Sequence, residues 1–514
     1  MFSKVFSGAI LGLDGFIISV EADVSNGLPV FDMVGFLASE VKEARERVKI
    51  ALKNCGYRLP SKRITVNLSP ADIRKAGTAY DLPIAIAILG ALGYIPEIVL
   101  KDVLIIGELS LDGSVNPVKG ILPLVYSAKK QGFKKFIVPK DNAREGAVIK
   151  GAKVYGISKL KEAVALLNGD LPKEAEKIDL GLFFKEGQKA NKLDFSDVSG
   201  QETVKRAIEV AVSGMHNILM IGPPGSGKTM LAKRIPTIMP DLSLEESMEV
   251  SKIYSIAGLM DNQALITKRP FRSPHHTITK SALVGGGAIP KPGEISLAHL
   301  GVLFLDELPE FKKGTIEVLR QPLEDRYINI SRVHANYKYP SNLVMVAAMN
   351  PCSCGYYPDR NRCNCSINQV KRYLGRISRP MLDRFDICIE TLQIDYKELQ
   401  NDRGKESSSD IMKRVNIARE MQVDRYKEEN IWYNSQLSPL LIKKYCKLGN
   451  KEEALMEEAF RKLNLTTRAY HRVLKVARTI ADLDQSDDIK IKHISEAICY
   501  RGIEQNIVYI EDGT

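Results

Sequence analysis

A glycine-rich segment near the middle of the chain has the composition of a phosphate-binding loop. It follows an apolar run at 218–221 and consists of Gly222, Pro223, Pro224, Gly225, Ser226, Gly227, Lys228 and Thr229. Glycines let successive backbone N–H groups point at phosphates, and the start of the following helix adds a favourable dipole. We expect Lys228 to reach the β- and γ-phosphates and the Thr229 hydroxyl to bind magnesium.

Two later segments could complete this site. The apolar run at 301–305 is followed by Asp306 and Glu307, and such a run predicts a strand buried on both faces. We expect Asp306 to hold the magnesium and Glu307 to orient and deprotonate the attacking water. A second apolar run ends at Asn350, which could reach the γ-phosphate and position the water. The alternative for Asn350 is a turn-forming residue before Pro351.

Arginines that stabilise the charge developing on a transferred phosphoryl group are a further requirement of this chemistry. Arg384 is the main candidate for contact with the γ-phosphate of a neighbouring subunit, and Arg379 and Arg376 are weaker candidates. Arg468 lies at the start of a long C-terminal helix, from which we expect it to reach back to the phosphates. For these arginines a solvated surface charge is the alternative.

Four of the eight cysteines form two C-x-C pairs, Cys352 with Cys354 and Cys363 with Cys365. Four thiolates on one short loop can close a tetrahedral zinc site in a segment too poor in apolar residues to fold alone. The spacing departs from the usual C-x2-C knuckle, so reduced thiols or a redox pair remain alternatives. The adjacent histidines at 275–276 could add ligands, although we expect them to have a structural or pore-loop role.

The elements around these residues divide the chain into parts and predict an α/β multidomain protein. Residues 1–168 mix strand-like and helical stretches, which indicates an α+β or α/β domain. Residues 169–192 are charged and contain Pro and Gly, which is typical of a linker. Strands alternate with helices over 193–396, which predicts a largely parallel sheet covered on both faces. Residues 397–514 are predicted to be helical.

Composition narrows the class of partner and the compartment. The chain has 514 residues and a net charge of +11, which favours a polyanionic partner such as nucleic acid. Its most apolar run, 82–100, is interrupted by Pro83, Pro96 and Glu97, so it predicts a buried helix and no membrane span. The chain opens without the long apolar core of a secretory signal, so we expect a cytoplasmic protein.

With these residues placed, the chain resembles the YifB/ComM family of magnesium-chelatase-like AAA+ ATPases over nearly its full length. The strings that carry the resemblance are 67–72, 200–202, 222–229, 272–278, 284–287, 292–299, 320–324 and 477–482. The resemblance implies a homo-hexameric ring with nucleotide sites between subunits. It also implies that Asn350 is sensor 1, Arg384 the arginine finger and Arg468 sensor 2, in a central AAA+ core with a helical lid.

The same resemblance implies two elements that face the pore of the ring. One is the Gly/Pro-rich insertion at 268–293, and the other is a hairpin at 327–338 just before sensor 1. On the hairpin, Arg332, His334 and Lys338 could contact a DNA backbone without reading its sequence. An ordinary exposed hairpin is the alternative, because basic residues are common on protein surfaces.

Residues 1–168 resemble a Lon-protease-like domain of the S5 type. A working protease of that kind needs a serine nucleophile activated by a lysine. The segment 76–82 has no serine where the nucleophile is expected, and the expected lysine position falls on Leu124. We therefore expect a proteolytically inactive domain that binds DNA or a partner, or helps the ring to assemble.

Two functions follow from the resemblance and stay open at this point. The first is a hexameric ATP-driven DNA helicase that promotes branch migration in natural transformation, as the ComM branch implies. The second is a chelatase-type ATPase that remodels a protein partner without binding DNA. ATP and Mg²⁺ are the expected cofactors of either function, with zinc as a further candidate at the cysteines.

Overall fold

The computed structural model describes residues 1–189, 193–261, 263–287, 290–332, 335–393 and 406–512. Its strands are β1 (Phe2–Leu11), β2 (Asp14–Ser25), β3 (Phe31–Val34), β4 (Arg63–Ser69), β5 (Val103–Ile105), β6 (Glu108–Leu109), β7 (Val115–Asn116), β8 (Lys135–Pro139), β9 (Lys153–Ile157), β10 (Ile218–Ile221), β11 (Phe271–Arg272), β12 (Gly285–Gly286), β13 (Lys291–Pro292), β14 (Val302–Leu305), β15 (Tyr327–Arg332), β16 (Ala335–Pro340), β17 (Val344–Met349) and β18 (Ile387–Glu390). Its helices are α1 (Ser39–Asn54), α2 (Asp81–Ala91), α3 (Ile121–Lys130), α4 (Ala143–Ala147), α5 (Leu160–Asn168), α6 (Leu180–Lys189), α7 (Glu202–Gly214), α8 (Lys228–Arg234), α9 (Leu244–Ala257), α10 (Lys280–Val284), α11 (Glu294–Leu297), α12 (Lys313–Ile316), α13 (Arg320–Asp325), α14 (Ile367–Leu374), α15 (Arg379–Leu382), α16 (Ser408–Arg425), α17 (Pro439–Tyr445), α18 (Asn450–Lys462), α19 (Thr467–Leu483) and α20 (Ile491–Asp512).

The chain forms two compact units. The first contains Met1–Gly187 together with Ser243–Thr267, and the second contains Gln188–Leu242 and Lys268–Thr514. Three features predicted from the sequence lie outside the described residues: His334, the end of the linker at 190–192, and the boundary at 396–397. Among the described residues, every helix is too short or too polar to span a bilayer.

The first unit is built on a seven-stranded sheet with the order β3-β4-β2-β1-β5-β8-β9. Strand β2 pairs with β1 and with β4 in antiparallel orientation, whereas the pairs β1–β5, β5–β8 and β8–β9 are parallel. The sheet is therefore mixed. In β2 the buried residues alternate, which is the period expected when one sheet face meets the core. Helix α2, predicted from the apolar run at 82–100, is buried along nearly its whole length.

The second unit is built on a five-stranded sheet with the order β11-β14-β17-β10-β18, and every neighbouring pair is parallel. All residues of β10, β14 and β17 are buried, as continuous apolar runs predict for strands covered on both faces. The predicted parallel sheet is therefore confirmed. Because all five strands point the same way, their carboxyl ends meet at one edge and their amino ends at the other.

Helices after residue 406 pack around this sheet and form the predicted helical region. In α19 five apolar residues at helical spacing are all buried, namely Ala469, Val473, Val476, Ile480 and Leu483. The helix begins where the Thr466 side chain accepts a hydrogen bond from the Ala469 N–H, a typical N-cap.

Two segments differ from the boundaries drawn on the sequence. Residues 243–267, which the sequence places in the central part, pack in the first unit, where Ala264 and Leu265 are fully buried. The predicted linker at 169–192 contains helix α6, because Leu180, Phe183 and Phe184 give that segment an apolar face that packs on the core of the first unit. The charged residues of 169–192 obscured the apolar face of α6, and continuity along the chain placed 243–267 with its sequence neighbours.

A buried ion pair in the first unit gives a test of its folding. Asp81 is fully buried at the start of α2 and accepts hydrogen bonds from Arg47 Nε at 2.8 Å and Nη2 at 2.9 Å. We expect Arg47→Met to lower the free energy of unfolding by about 3–5 kcal/mol, because it leaves a buried carboxylate without its partner. The control is Arg45→Met, which removes an exposed arginine and should cost less than about 1 kcal/mol. Urea denaturation followed by circular dichroism compares them, and equal losses would contradict the argument.

Candidate active site

The phosphate-binding loop lies between the carboxyl end of β10 and the amino end of α8. Its Gly225 and Gly227 have φ of 78° and 84°, a left-handed backbone that side chains other than glycine disfavour. Each has open space where a Cβ would be, so backbone conformation is the reason for glycine at these two positions. The loop thus has the conformation that the sequence predicts for a phosphate cradle at a helix N-terminus.

Lys228 lies inside this loop and is bonded to oxygens that surround the phosphate position. Its Nζ donates to the carbonyl oxygens of Gly222 and Pro223, each at 2.8 Å, and is 3.3 Å from Asn350 Oδ1. Burial lowers the pKa of Lys228, and the charge of Asp306 opposes that shift. An anion that enters the loop would therefore meet an ammonium group that is already largely desolvated.

Thr229 and Asp306 meet at the carboxyl edge of the sheet. The Thr229 hydroxyl donates to Asp306 Oδ2 at 2.6 Å, although 77 positions separate the two residues. Both are hard oxygen donors, which Mg²⁺ prefers, so the pair fits the predicted metal role. Mg²⁺ bound there would neutralise charge on the phosphate oxygens of the nucleotide.

Glu307 follows Asp306 with a left-handed backbone at φ 52° and a side chain that is 62% exposed. Its Oε2 lies 3.6 Å from His276 Nδ1, and the His276 ring lies against His275 with centroids 4.1 Å apart. A solvent-exposed carboxylate at this position can be reached by water, as the predicted role of Glu307 requires. The sequence predicted Glu307 but gave His276 no role beside it.

Asn350 directly follows β17, and its Oδ1 lies 3.3 Å from Lys228 Nζ, so it contacts the phosphate loop; its role as sensor 1 stays a prediction. Two further residues contact the loop from other elements and were not predicted. Thr391, just after β18, lies with its hydroxyl 2.8 Å from Ser226 Oγ, and Gln201 donates from Nε2 to the carbonyls of Ser226 and Leu392. The string at 200–202 had drawn attention to Gln201, but a side chain that bonds only backbone oxygens has no signature in the sequence.

The two arginines expected at the phosphates lie at the other edge of the sheet. The Arg384 carbonyl accepts a hydrogen bond from Asn217, the residue before β10, whereas the phosphate loop follows β10. Strand β10 has four residues, so about 13 Å of strand separates its two ends. Arg468 therefore lies away from the phosphate loop of the same chain, and its expected contact with the phosphates stays a prediction. Arg468 pairs instead with Glu324, at 3.3 Å.

Glu324 is shared by both arginines. Its Oε1 lies 2.6 Å from Arg384 Nη2, and the Arg384 guanidinium is buried, which lowers its pKa. Arg384 Nε has no hydrogen-bond partner among the described residues, so the guanidinium keeps donor capacity. Of the weaker candidates, Arg376 pairs with Glu310 at 2.6 Å and Arg379 is exposed at the start of α15.

A cavity of about 480 Å³ adjoins Arg384 and Arg468 between the sheet and α19. Its charged and titratable lining consists of Glu324, Arg326, Arg384, Asp386, Arg468, His471, Arg472 and Lys475. Burial lowers the pKa of Arg326 to about 10 and also lowers the pKa of Lys475. Basic groups outnumber acidic ones, so this edge of the sheet favours an anionic neighbour.

The four clustered cysteines come together as the spacing predicts. Their sulfurs all lie within 4.8 Å of one another, and Cys352, Cys363 and Cys365 are buried. Among the described residues this is the group found suitable for a metal, and it includes neither His275 nor His276.

The predicted hairpin is formed by β15 and β16, which pair in antiparallel register. Arg332 is exposed and donates from Nε to the Gly287 carbonyl at 3.3 Å. Lys338 lies with Nζ 4.0 Å from the centre of the Tyr327 ring. Arg332 and Lys338 are therefore displayed on one hairpin, apart from the residues at the phosphate loop.

The two places expected for a serine–lysine dyad hold other residues. Leu124 is buried in the core on α3, in the position expected for a lysine. In the segment 76–82, the Thr78 hydroxyl donates to Glu108. Neither position presents a serine–lysine dyad.

A family described as magnesium chelatase, subunit ChlI, matches residues 194–399, and two related descriptions, subunit ChlI of Mg-chelatase and its C-terminal part, match 20–142 and 405–501. The chain is 44% identical to the YifB protein of Escherichia coli, over 99% of each chain. It is 42% identical to the competence protein ComM of Haemophilus influenzae, over 97% of each chain.

The chain belongs to the YifB/ComM family of magnesium-chelatase-like proteins. It is also 30% identical to Lon protease 2 of Bacillus subtilis over 27% of each chain, which agrees with a Lon-like fold. The mixed sheet of the first unit, the parallel sheet of the second and the helical region after 406 fit that family. Its chelatase-like AAA+ character supports an ATPase-type function that uses ATP and Mg²⁺.

Substitution of Glu307 gives a direct test of the assigned site. We expect Glu307→Gln to slow ATP hydrolysis by about 100-fold or more, because the amide cannot take a proton from water. ATP binding should remain, since Lys228 and the loop are unchanged. The control is Glu428→Gln, which alters an exposed carboxylate elsewhere. Phosphate release and binding of a fluorescent ATP analogue measure the two effects, and normal hydrolysis by Glu307→Gln would remove it from the site.

Proposed function

We propose that this protein is an ATP-hydrolysing ring motor that acts on DNA, with a ComM-like role as a helicase promoting branch migration in recombination and natural transformation. One observation carries the proposal. The residues that bind and cleave a nucleotide lie at the carboxyl edge of the parallel sheet, while Arg384 and Arg468 lie at its amino edge. One chain therefore holds two complementary halves of a site.

A complete nucleotide site forms when the amino edge of one subunit meets the carboxyl edge of the next. A head-to-tail contact of this kind is heterologous and closes into a ring when the rotation allows it. Within the shared site, Lys228 binds the phosphates, Glu307 takes the proton of the attacking water and Asn350 positions that water. Arg384 and Arg468 of the neighbour would stabilise the charge that develops on the transferred group. A hexamer is the ring size that the family resemblance favours.

DNA is the proposed substrate because the chain is basic and the β15–β16 hairpin exposes two basic side chains. The net charge of +11 favours a polyanion, and the β15–β16 hairpin displays Arg332 and Lys338. A lysine lying on an aromatic ring is a feature that can contact both phosphates and bases. Such contacts bind the backbone without reading sequence, as a translocating motor requires. His334, proposed as a third contact, lies outside the described residues.

The second candidate is a chelatase-type ATPase that remodels a protein partner and binds no DNA. The family descriptions matched at 194–399 and 405–501 favour it, since both are named for magnesium chelatase. The Lon-like first unit and the full-length similarity to ComM favour the DNA motor. For either function the proposed cofactors are ATP and Mg²⁺. A structural zinc ion at the four cysteines is proposed in addition.

A mixing experiment tests whether the site is shared between subunits. Lys228→Ala and Arg384→Ala should each reduce ATP hydrolysis about a thousandfold. Mixed in equal amounts, they should recover about one quarter of wild-type activity, because one in four random interfaces joins an intact loop to an intact arginine. The control mixes Lys228→Ala with Thr229→Ala, which damage the same edge and should give no recovery. Failure of the first mixture to exceed the control would contradict a shared site.

Measurements of DNA binding and of ATP hydrolysis with defined DNAs test whether the motor acts on DNA. We expect ATP hydrolysis to rise with single-stranded or branched DNA, and Arg332→Ala with Lys338→Ala to weaken DNA binding. Loss of each phosphate contact should reduce the slope of log affinity against log salt by about 0.7–0.9. Lys451→Ala, an exposed lysine on α18, is the control and should leave affinity unchanged. Hydrolysis indifferent to single-stranded, duplex and branched DNA would favour the chelatase-type function.

A further inference from the structure

The four clustered cysteines lie in a loop that follows sensor 1 and contacts the phosphate loop. Sulfur–sulfur distances are 3.2 Å for Cys352 to Cys354, 3.8 Å for Cys352 to Cys363 and 3.6 Å for Cys354 to Cys363. Zinc–sulfur bonds of about 2.3 Å in a tetrahedron place the sulfurs about 3.8 Å apart. The cluster therefore has the size of a tetrathiolate metal site.

The surroundings of the sulfurs suit thiolates. Tyr357 directs its backbone N–H at Cys352 Sγ, at 3.4 Å, and Ser353 Oγ lies 3.4 Å from Cys365 Sγ. Hydrogen bonds of this kind stabilise the charge of a metal-bound thiolate. All four cysteines are free of disulfide bonds.

The loop needs a cross-link to hold its shape. Residues 355–362 contain no Leu, Ile, Val or Met, so the loop has little apolar surface to bury. Its order comes from polar and ring contacts, among them Arg362 over the Tyr356 ring at 4.0 Å and Arg360 donating to the Cys365 carbonyl at 2.8 Å. A metal joining both ends of such a segment fixes its conformation, as in small structural zinc sites.

The loop touches the nucleotide site from two sides. At Gly355 a Cβ would lie 2.4 Å from Pro224 Cδ, so the backbone of the cysteine loop rests directly on the phosphate loop. Gly355 also has φ of 89°, which favours glycine. On the other side, Cys352 follows Asn350 by two residues, and Asn350 Oδ1 accepts from Lys228 Nζ. Any displacement of the cysteines would thus move Pro224 and Asn350.

We propose that the four cysteines bind one zinc ion whose function is to brace the phosphate loop of the same chain, so that the metal sets the affinity for ATP. The inference rests on the proposed ATP-binding function and deepens it. The contact between Gly355 and Pro224 lies within one subunit, so the proposed brace acts on the phosphate loop of its own chain. Thiolates in a tetrahedron select zinc over Mg²⁺, which prefers oxygen ligands.

The first experiment measures metal and nucleotide binding on the full chain. Elemental analysis should find about one zinc per chain, and a mercurial thiol reagent should release it to a zinc-sensitive dye. Removal of zinc followed by restoration of Mg²⁺ should raise the Kd of a fluorescent ATP analogue by roughly tenfold, and added zinc should restore it in the same sample. A chain without zinc, or one that carries an iron–sulfur chromophore, overturns the metal assignment. Zinc whose removal leaves ATP affinity unchanged overturns the brace.

Two variants separate the brace from general loss of folding. Gly355→Ala keeps all four ligands but places a methyl group against Pro224, so we expect zinc to be retained and ATP affinity to fall. Its control is Gly132→Ala, which has a similar backbone at φ 99° but open space around the added carbon. Equal ATP affinities in these two variants contradict the brace.

Ligand substitution completes the test. Cys354→Ser should lose zinc and weaken ATP binding together, whereas Cys499→Ser, an exposed cysteine outside the cluster, should change neither. Unchanged zinc content in Cys354→Ser contradicts the ligand set. If zinc and the affinity change are found while DNA leaves hydrolysis unaffected, this inference stands and the proposed DNA motor fails. If the zinc-loaded chain binds no ATP, the brace and the proposed function fail together.

Discussion

The common direction of the five strands in the second unit is the constraint on which the rest of its chemistry depends. Since β10, β14, β17 and β18 all run parallel, every residue that follows a strand lies at one edge and every residue that precedes one lies at the other. Lys228, Asp306 and Asn350 lie close together because each comes after the carboxyl end of a strand. Arg384 is separated from them because it precedes β18. In the proposed function the two edges are therefore joined through a second copy of the chain.

The nucleotide edge is organised around a desolvated cation. Lys228 is held by loop carbonyls and by Asn350, so its position is set before any phosphate arrives. Preorganised charge of this kind avoids the cost of reorientation during reaction. The same loop receives support from Thr391, from Gln201 and from the cysteine loop at Gly355. Its geometry thus reflects contacts drawn from four separate parts of the second unit.

Much of this arrangement could be predicted from the sequence, because its signals are local. The phosphate loop, the acid pair at Asp306, the parallel strands and the β15–β16 hairpin each occupy one contiguous segment with a distinct pattern. The direction of Arg468 could not be predicted, since it depends on how a helix far along the chain packs against the sheet. The contacts of Gln201 and Gly355 could not be predicted for a related reason. Both residues contact backbone or proline-ring atoms of a distant loop, and such contacts require no particular partner residue type that a sequence pattern could reveal.

The assignment of residues 243–267 to the first unit has a consequence for how the protein can be divided. The chain passes from one compact unit to the other near 187, near 242 and near 267, so no single cut yields both units whole. A fragment that ends before 188 would lack the segment carrying Ala264 and Leu265, and apolar surface that is now covered would face water. The two units are therefore interleaved along the chain, and neither is a single contiguous segment.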